Sequence, residues 1–137
     1  MDPSLGVAPT LERLYAGLRR ITPRDELSLT AASTLARLER YGPQRLSDLH
    51  GPEGVTQPAM TQLITRLERD GLAARAADPA DGRAVLVSVT DEGRAAVARR
   101  RAARAEAIAL RLRQLSPEDR AIILTAGPAL DRLSELL

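Results

Sequence analysis

The stretch GVTQPAMTQLITRLERDGLAARAADPADGRAVLVSVTDEG, residues 54–93, changes its apolar spacing partway along and thereby decides the fold. From position 56 to 69 apolar residues recur every three or four positions, as on one face of a helix. From position 85 to 89 valines alternate with other residues, as in a strand. The stretch therefore predicts a helix followed directly by a β-hairpin.

The predicted helix has a signal at each end. Thr56 is a favourable N-cap residue, and Pro58 falls in the first turn, where its missing N–H leaves no hydrogen bond unmade. Gly71 follows the last turn, in the position where helices often end. The apolar stripe between these ends is narrow and consists of Met60, Leu63, Ile64 and Leu67. Polar side chains on the other side are therefore free to contact a partner.

The hairpin is predicted from its valine-rich second strand, which contains Val85, Val87 and Val89. Residues 72–76 are the expected partner strand, and the turn-forming residues 78–83 connect the two strands. This hairpin is the only β structure that the sequence indicates.

Helical patterns flank the central stretch on both sides. A helix is predicted over each of five further stretches: 9–21, 28–41, 46–50, 91–115 and 117–137. Gly127-Pro128 should kink the last of them without ending it. The predicted fold class is mainly α, a winged helix-turn-helix with a two-stranded β-hairpin wing.

The same order of elements divides the chain by role. Residues 28–90 form the predicted winged helix-turn-helix DNA-binding region, and residues 9–22 and 91–137 form the predicted helical dimerisation region, within one structural domain overall. A homodimer is expected because the first and last helices each carry an apolar stripe that no third layer covers. Two such helices per subunit could bury at least ~2,000 Å² between subunits.

Composition excludes several classes of function. The 137 residues, 44% of them apolar and 28% charged, fit one globular domain. The chain has no cysteine and one histidine, His50, so we expect no disulfide, no metal site and no cofactor. The sequence also lacks suitably spaced catalytic carboxylates, a Gly-rich phosphate loop and a nucleophile motif. We therefore do not expect an enzyme.

Charge and hydropathy bear on partners and location. All 20 basic residues are arginine, and the formal net charge is +2. Arginine suits forked contacts to phosphates and bases, although a GC-rich coding sequence also explains the absence of lysine. No apolar run reaches membrane-spanning length, and the N-terminal MDPSLGVAPT lacks the features of a signal peptide. We therefore expect a cytoplasmic protein with no membrane partner.

The polar side of the helix over 56–69 suits the major groove of DNA. Gln62 is the best candidate for reading a base, because its amide can bond adenine N6 and N7 together. At the hairpin tip, Arg83 can enter the adjacent minor groove, where the potential is most negative. Two interpretations stay open for Arg66, which either contacts phosphate or pairs with Asp70 four residues later.

These motifs resemble the MarR-type transcriptional regulators. The resemblance rests on residues 54–93, where a helix ending Arg-Leu-Glu-x-x-Gly-Leu precedes Asp-Pro-x-Asp-x-Arg, a valine-rich strand and Thr-x-x-Gly. It implies a homodimer that binds an inverted-repeat operator in double-stranded DNA, usually as a repressor and often released by a small aromatic effector. By position, it places on the recognition helix Thr56, Gln57, Pro58, Ala59, Thr61, Gln62, Thr65 and Arg66. It gives Arg83 the wing-tip place and Asp81 the place of the acid that orients this arginine.

Three features depart from the family pattern. The segment DLHGPEG, residues 48–54, has polar residues where small or apolar ones are usual, and Gly51-Pro52 interrupts what is usually a full helix. Gly82 replaces the more usual arginine at the wing turn. Tyr15 and Tyr41 are the only aromatic residues, so they are the candidate ligand-pocket residues, and Tyr15 is also a candidate for the dimer core.

A protein–protein interaction module is the alternative function: a winged helix that docks a protein on its polar face without binding specific DNA. DNA binding should weaken steeply with salt, and protein docking much less so. The run Arg99–Arg101 does not decide between them, because three successive helical residues point around nearly the whole circumference. We expect these arginines to be solvated or to pair with acids of the partner subunit or of the last helix.

Overall fold

The computed structural model describes residues 2–22 and 27–137 of the chain. A 3-10 helix at Pro3–Gly6 precedes nine labelled elements: α1 (Val7–Ile21), α2 (Leu29–Tyr41), β1 (Gln44–Arg45), α3 (Leu46–Leu49), α4 (Gln57–Arg69), β2 (Ala73–Asp78), β3 (Asp81–Val89), α5 (Asp91–Leu112) and α6 (Pro117–Ser134). The order helix, short helix, helix and hairpin confirms the predicted winged helix-turn-helix.

Hydroxyl caps lie at the start of four of the described helices: α2, α4, α6 and, through Thr90, α5. Ser28 Oγ accepts a hydrogen bond from the N–H of Ala31 (3.1 Å) at the start of α2. Ser116 Oγ does the same for Asp119 (3.1 Å) at the start of α6. Thr56 Oγ1 accepts from the N–H of Ala59 (3.2 Å), so the predicted N-cap of α4 is confirmed. Each cap satisfies one of the N–H groups that a helix leaves without an internal partner.

The wing belongs to a three-stranded antiparallel sheet with the strand order β1-β3-β2. The predicted hairpin is confirmed, but it is not the only β structure, because Gln44 and Arg45 pair with Val87 and Leu86. A strand of two residues is too short to show an alternating pattern, so the sequence could not reveal it. The hairpin strands are also longer than predicted, since Asp78 pairs with Asp81 and the turn is shorter than residues 78–83.

The chain divides into two compact units, and the division falls within α5. The head unit, as we call it, runs from Pro23 to Ala102, and the terminal unit consists of Met1–Thr22 and Ala103–Leu137. The predicted division by role lies at residues 90–91, at the start of α5, whereas the first turns of α5 belong to the compact head unit.

The core lies in the head unit. It joins one face of α2, the end of α3, the inner face of α4 and the inward side of the wing. The largest fully buried apolar side chains are those of Leu35, Leu38, Leu49, Met60, Ile64 and Val87. Burial of such side chains contributes about 1.5–3 kcal/mol each, so these contacts fix the position of α4 in the head unit.

The terminal unit has a different character. Neither α1 nor α6 contains a buried residue. Pro128 lies inside α6, which continues to Ser134, so the prediction that Gly127-Pro128 does not end this helix is confirmed. Among the described residues, no helix is both long and apolar enough to cross a bilayer.

The arginines at 99–101 have separate surroundings. Arg99 is exposed, and Arg100 is buried, with its Nη1 donating to the carbonyl oxygen of Leu27 (3.2 Å). Arg101 Nη1 lies 3.0 Å from Glu39 Oε2 on α2. The expected acid of the last helix is therefore not the one that Arg101 pairs with, since α2 of the head unit supplies it.

Candidate nucleic-acid interface

Helix α4 presents a polar surface on the side opposite its core contacts. Met60, Leu63, Ile64 and Leu67 are all buried, and at 100° per residue they occupy one side of the helix. The predicted contact residues between positions 58 and 66 lie elsewhere on its circumference, and Thr56 and Gln57 are exposed at its N-terminal end. Thr61 is half-buried, and the exposed members of this set are Thr56, Gln57, Pro58, Ala59, Gln62, Thr65 and Arg66. The structure thus brings all the predicted α4 residues to the accessible part of one helix.

Two threonines on this surface, Thr61 and Thr65, already use their hydroxyl protons. Thr61 Oγ1 donates to the carbonyl oxygen of Gln57 (3.0 Å), and Thr65 Oγ1 donates to that of Thr61 (2.9 Å). In the described part of the chain, the side-chain amides of Gln57 and Gln62 make no hydrogen bond. Because an amide supplies donor and acceptor together, Gln62 keeps the full capacity for the predicted bidentate base contact.

Arg66 was predicted either to contact a phosphate or to pair with Asp70, and the ion pairs at the end of α4 bear on this choice. Asp70 Oδ1 pairs with Arg69 Nε (3.5 Å), and both side chains are largely exposed. Within the described ranges, Arg66 makes no ion pair, so its guanidinium is available to a phosphate. Arg69 was not among the predicted contacts, although it is seven residues after Gln62 and therefore shares its side of the helix. Helical spacing alone could have predicted that Arg69 lies on this side of α4.

The tip of the wing is exposed and carries Arg83. Asp81 Oδ1 accepts a hydrogen bond from the backbone N–H of Arg83 (3.1 Å). The acid expected to orient the guanidinium therefore holds the backbone of Arg83, and among the described residues this guanidinium has no ion-pair partner. The side chain of Arg83 is free to follow a DNA groove.

A second aspartate, which was not among the predicted site residues, supports the hairpin from its buried side. Asp78 is buried; its Oδ2 lies 2.9 Å from Arg45 Nε, and its Oδ1 accepts from the N–H of Ala80 (2.9 Å). The bond from Ala80 is the largest influence lowering the pKa of Asp78, burial opposes it, and Arg45 lowers the pKa further. The Asp-Pro dipeptide at 78–79 is a turn signal from which this cap could have been inferred.

The Thr-x-x-Gly motif joins the end of α4 to the start of α5. Thr90 Oγ1 donates to the carbonyl oxygen of Gly71 (2.6 Å) and accepts from the N–H of Gly93 (3.0 Å). Gly71 has a φ of 77°, a left-handed conformation that favours glycine. A Cβ added at Gly93 would collide with the carbonyl oxygen of Leu72. Both ends of the hairpin are therefore fastened to the helices beside them.

The segment that departs from the family pattern forms a short helix and a turn. Helix α3 has four residues and ends at Leu49, so the predicted shortening is confirmed. His50 Nδ1 lies 3.3 Å from the carbonyl oxygen of Val55, and Glu53 pairs with Arg37 of α2 (3.4 Å). These polar residues thus hold the turn that leads into α4.

The two candidate ligand-pocket residues are exposed, and each contacts arginine. The guanidinium of Arg19 lies 5.9 Å from the ring centre of Tyr15 on α1. Those of Arg37 and Arg40 lie 5.5 and 5.3 Å from the ring centre of Tyr41 at the end of α2. Both tyrosine rings therefore lie within the range of cation–π attraction.

Comparisons with known proteins agree on one kind of relative. A model of the MarR family matches residues 27–85. An HTH-type transcriptional regulator of Mycobacterium tuberculosis is 39% identical over 115 residues, which is 84% of this chain and 80% of that protein.

Two solved structures extend the likeness to nearly the whole chain. A putative transcriptional regulator of Pseudomonas aeruginosa is 28% identical, with a TM-score of 0.80 over 96% of this chain and 92% of that one. BpsR of Bordetella bronchiseptica, whose DNA binding is regulated by 6-hydroxynicotinic acid, is 25% identical, with a TM-score of 0.61 over 95% and 93% of the two chains.

Proposed function

The chain belongs to the MarR family of transcriptional regulators, which are not enzymes, and from this premise we propose that it binds an inverted-repeat operator as a homodimer and represses transcription there. DNA binding follows from the family. The operator symmetry, the dimer and the direction of regulation are our proposal.

The observation that carries the proposal is the polar side of α4 beside the hairpin. Gln62 has an unbonded amide, Arg66 has no ion pair within the described ranges, and Arg83 is exposed at the wing tip. Gln62 would read a base in the major groove, Arg66 would bind a phosphate, and Arg83 would enter the minor groove. Such a set of side chains contains both base-reading and backbone-positioning groups.

The dimer is supported by the apolar surface of the terminal unit. Its exposed large apolar side chains include Leu14, Tyr15, Leu110, Ile122, Ile123, Leu124 and Leu130. Large apolar side chains left exposed in such number are typical of an interaction site. A second copy presents the same surface, and a twofold dimer places two α4 helices on half-sites one DNA turn apart. Repression then follows because an occupied operator excludes the polymerase.

Selection of bound duplexes from a random pool tests this function. The purified protein should enrich an inverted repeat whose half-sites are about 10 base pairs apart from centre to centre. Gln62→Ala should bind the recovered duplex with a loss concentrated at one base position in each half-site. Recovery of unrelated sequences, or binding that hardly changes between low and high salt, would instead favour the protein-docking module.

We also propose that a small organic ligand releases the protein from DNA. The support is BpsR, whose DNA binding 6-hydroxynicotinic acid regulates, and the two exposed tyrosines, Tyr15 and Tyr41. A panel of aromatic acids that includes 6-hydroxynicotinic acid should contain a compound that raises the melting temperature and weakens operator binding. Replacement of each tyrosine by leucine then assigns the ligand to one ring or removes both residues from the pocket.

A further inference from the structure

Arg75, which no motif singled out, connects the wing to the outward side of α4. It lies on β2, and its Nη2 donates to Thr65 Oγ1 (2.8 Å) and more weakly to the carbonyl oxygen of Thr61 (3.4 Å). Both acceptors lie in the middle of the helix that carries Gln62. A single guanidinium thus holds two parts of the candidate interface together.

The bond from Arg75 changes what Thr65 can do. The Thr65 hydroxyl has one proton, which it donates to the carbonyl oxygen of Thr61, and it accepts a hydrogen bond from Arg75. A hydroxyl in this arrangement has no proton left for an acceptor on a base edge. Thr65 was predicted as a DNA contact, but its hydroxyl serves as an anchor for Arg75.

The hydrogen bonds to α4 are the favourable polar contacts of the Arg75 guanidinium. Its Nε is buried and has no hydrogen-bond partner among the described residues. A buried unpaired N–H destabilises the folded state. The Nη2 contacts with Thr65 and Thr61 offset part of this cost, because a charged donor forms stronger hydrogen bonds than a neutral one.

We propose that Arg75 is a positioning residue for DNA reading: it fixes the wing against α4, so that Arg83 and Gln62 meet their two grooves in one geometry. The inference rests on the proposed role of α4 as the recognition helix. A bidentate base contact tolerates displacements of only about 0.5 Å, so loosening the wing should weaken sequence-specific binding more than general attraction to DNA.

The experiment compares binding of two duplexes, the one recovered by selection and a scrambled duplex of the same composition. Arg75→Met removes the guanidinium, and Thr65→Val removes the hydroxyl while keeping the size of the side chain. Thr65→Ser keeps the anchor. Arg94→Met is the matched control for the lost charge, because Arg94 is exposed on α5 and pairs with Asp91.

Arg75→Met and Thr65→Val should each reduce the ratio of specific to scrambled binding about tenfold, the order expected for one charge-assisted hydrogen bond. The double variant should lose no more than either single one, because both remove the same contact. Thr65→Ser and Arg94→Met should keep the wild-type ratio. Circular dichroism and the melting temperature identify any variant that fails to fold, and Thr65→Ser against Thr65→Val then carries the test.

Three results would overturn the proposal. A salt slope that falls by about one unit in Arg75→Met, with an unchanged ratio, would make Arg75 a phosphate contact. Additive losses would make the two residues independent. An unchanged ratio in all variants would leave the pair a part of the fold alone. If the wild type itself does not distinguish the two duplexes, the proposed function fails before Arg75 is in question.

Discussion

Helix α4 of the head unit and helices α1 and α6 of the terminal unit carry similar apolar stripes but reach opposite states. Four residues of α4 are buried within its own chain, whereas α1 and α6 bury none. The head unit therefore has its own hydrophobic core, whereas α1 and α6 of the terminal unit leave their apolar side chains exposed. This difference fits the two tasks proposed above: a rigid surface for binding DNA, and an apolar surface for binding a second chain.

A matched pair of isoleucines tests this contrast with the largest effect. Ile64 of α4 is fully buried and Ile122 of α6 is 67% exposed. Ile64→Ala should lower the free energy of unfolding by about 2–5 kcal/mol, because it leaves a cavity in the core. Ile122→Ala should instead raise the dimer dissociation constant about tenfold or more.

Urea unfolding and analytical ultracentrifugation measure the two effects of the isoleucine pair separately. The unfolding of each variant is followed at several protein concentrations, and the sedimentation of each is compared with that of the wild type. A dimer unaffected by Ile122→Ala, together with a monomer of wild-type stability, would remove this residue from the subunit interface.

The contact between the hairpin and the first turn of α5 gives the next largest effect, which is on stability. Gly93→Ala places a Cβ against the carbonyl oxygen of Leu72 and the side chain of Val89. Because backbone must shift to admit it, unfolding should become easier by about 3 kcal/mol. Gly82→Ala is the control, since a Cβ there meets no atom within 4 Å and should change stability by less than about 0.5 kcal/mol. Equal urea midpoints for the two variants would contradict the close packing at Gly93.

Loss of Arg83 at the wing tip tests the DNA-binding task of the head unit. Arg83→Ala should weaken operator binding and reduce the magnitude of the salt slope by about one unit, because one positive charge that displaces counterions from DNA is lost. Arg94→Ala removes an arginine from an exposed site on α5 and should leave the slope unchanged. Fluorescence anisotropy over a range of salt concentrations provides both slopes. A slope in Arg83→Ala equal to that of the wild type would exclude this wing contact.

The smallest expected effect is a change in how stability depends on pH, and it arises from Asp78 of the head unit. The pKa of Asp78 in the folded protein is lowered, first by the N–H of Ala80. Its contribution to stability is therefore complete above the pKa of aspartate in an unfolded chain, about 4, and is lost as the pH falls through the lower folded value. Asp78→Asn should flatten the decline of the urea midpoint between about pH 5 and pH 3. Parallel curves for wild type and variant would contradict this role.

How much the sequence predicted depended on the range of the interactions involved. The cap at Thr56, the buried stripe of α4 and the Thr-x-x-Gly motif are local patterns, and the structure agrees with all of them. Strand β1 is set by pairing with residues about forty positions away, which no local pattern records. Asp81 was expected to hold the guanidinium of Arg83 but bonds its backbone, because side-chain direction at a turn depends on the turn geometry.

The candidate site shows the same limit. Exposure of the α4 side chains follows from helical spacing, so the accessibility of Gln62 could be predicted from the sequence. The state of Thr65 could not, since its hydroxyl is occupied by Arg75 from a neighbouring strand. Residue type predicted that Thr65 can form hydrogen bonds, and only the fold shows that its hydroxyl proton is already donated to the carbonyl oxygen of Thr61.

The unburied helices of the terminal unit also bear on how long a newly made chain survives in the cell. Until the proposed dimer forms, the chain leaves α1 and α6 open to proteases and chaperones, which act on exposed apolar segments. Pairing would shelter the same segments, so turnover should slow as the regulator accumulates. Its abundance would then rise more steeply than its rate of synthesis, and gene control would gain a threshold from protein degradation alone.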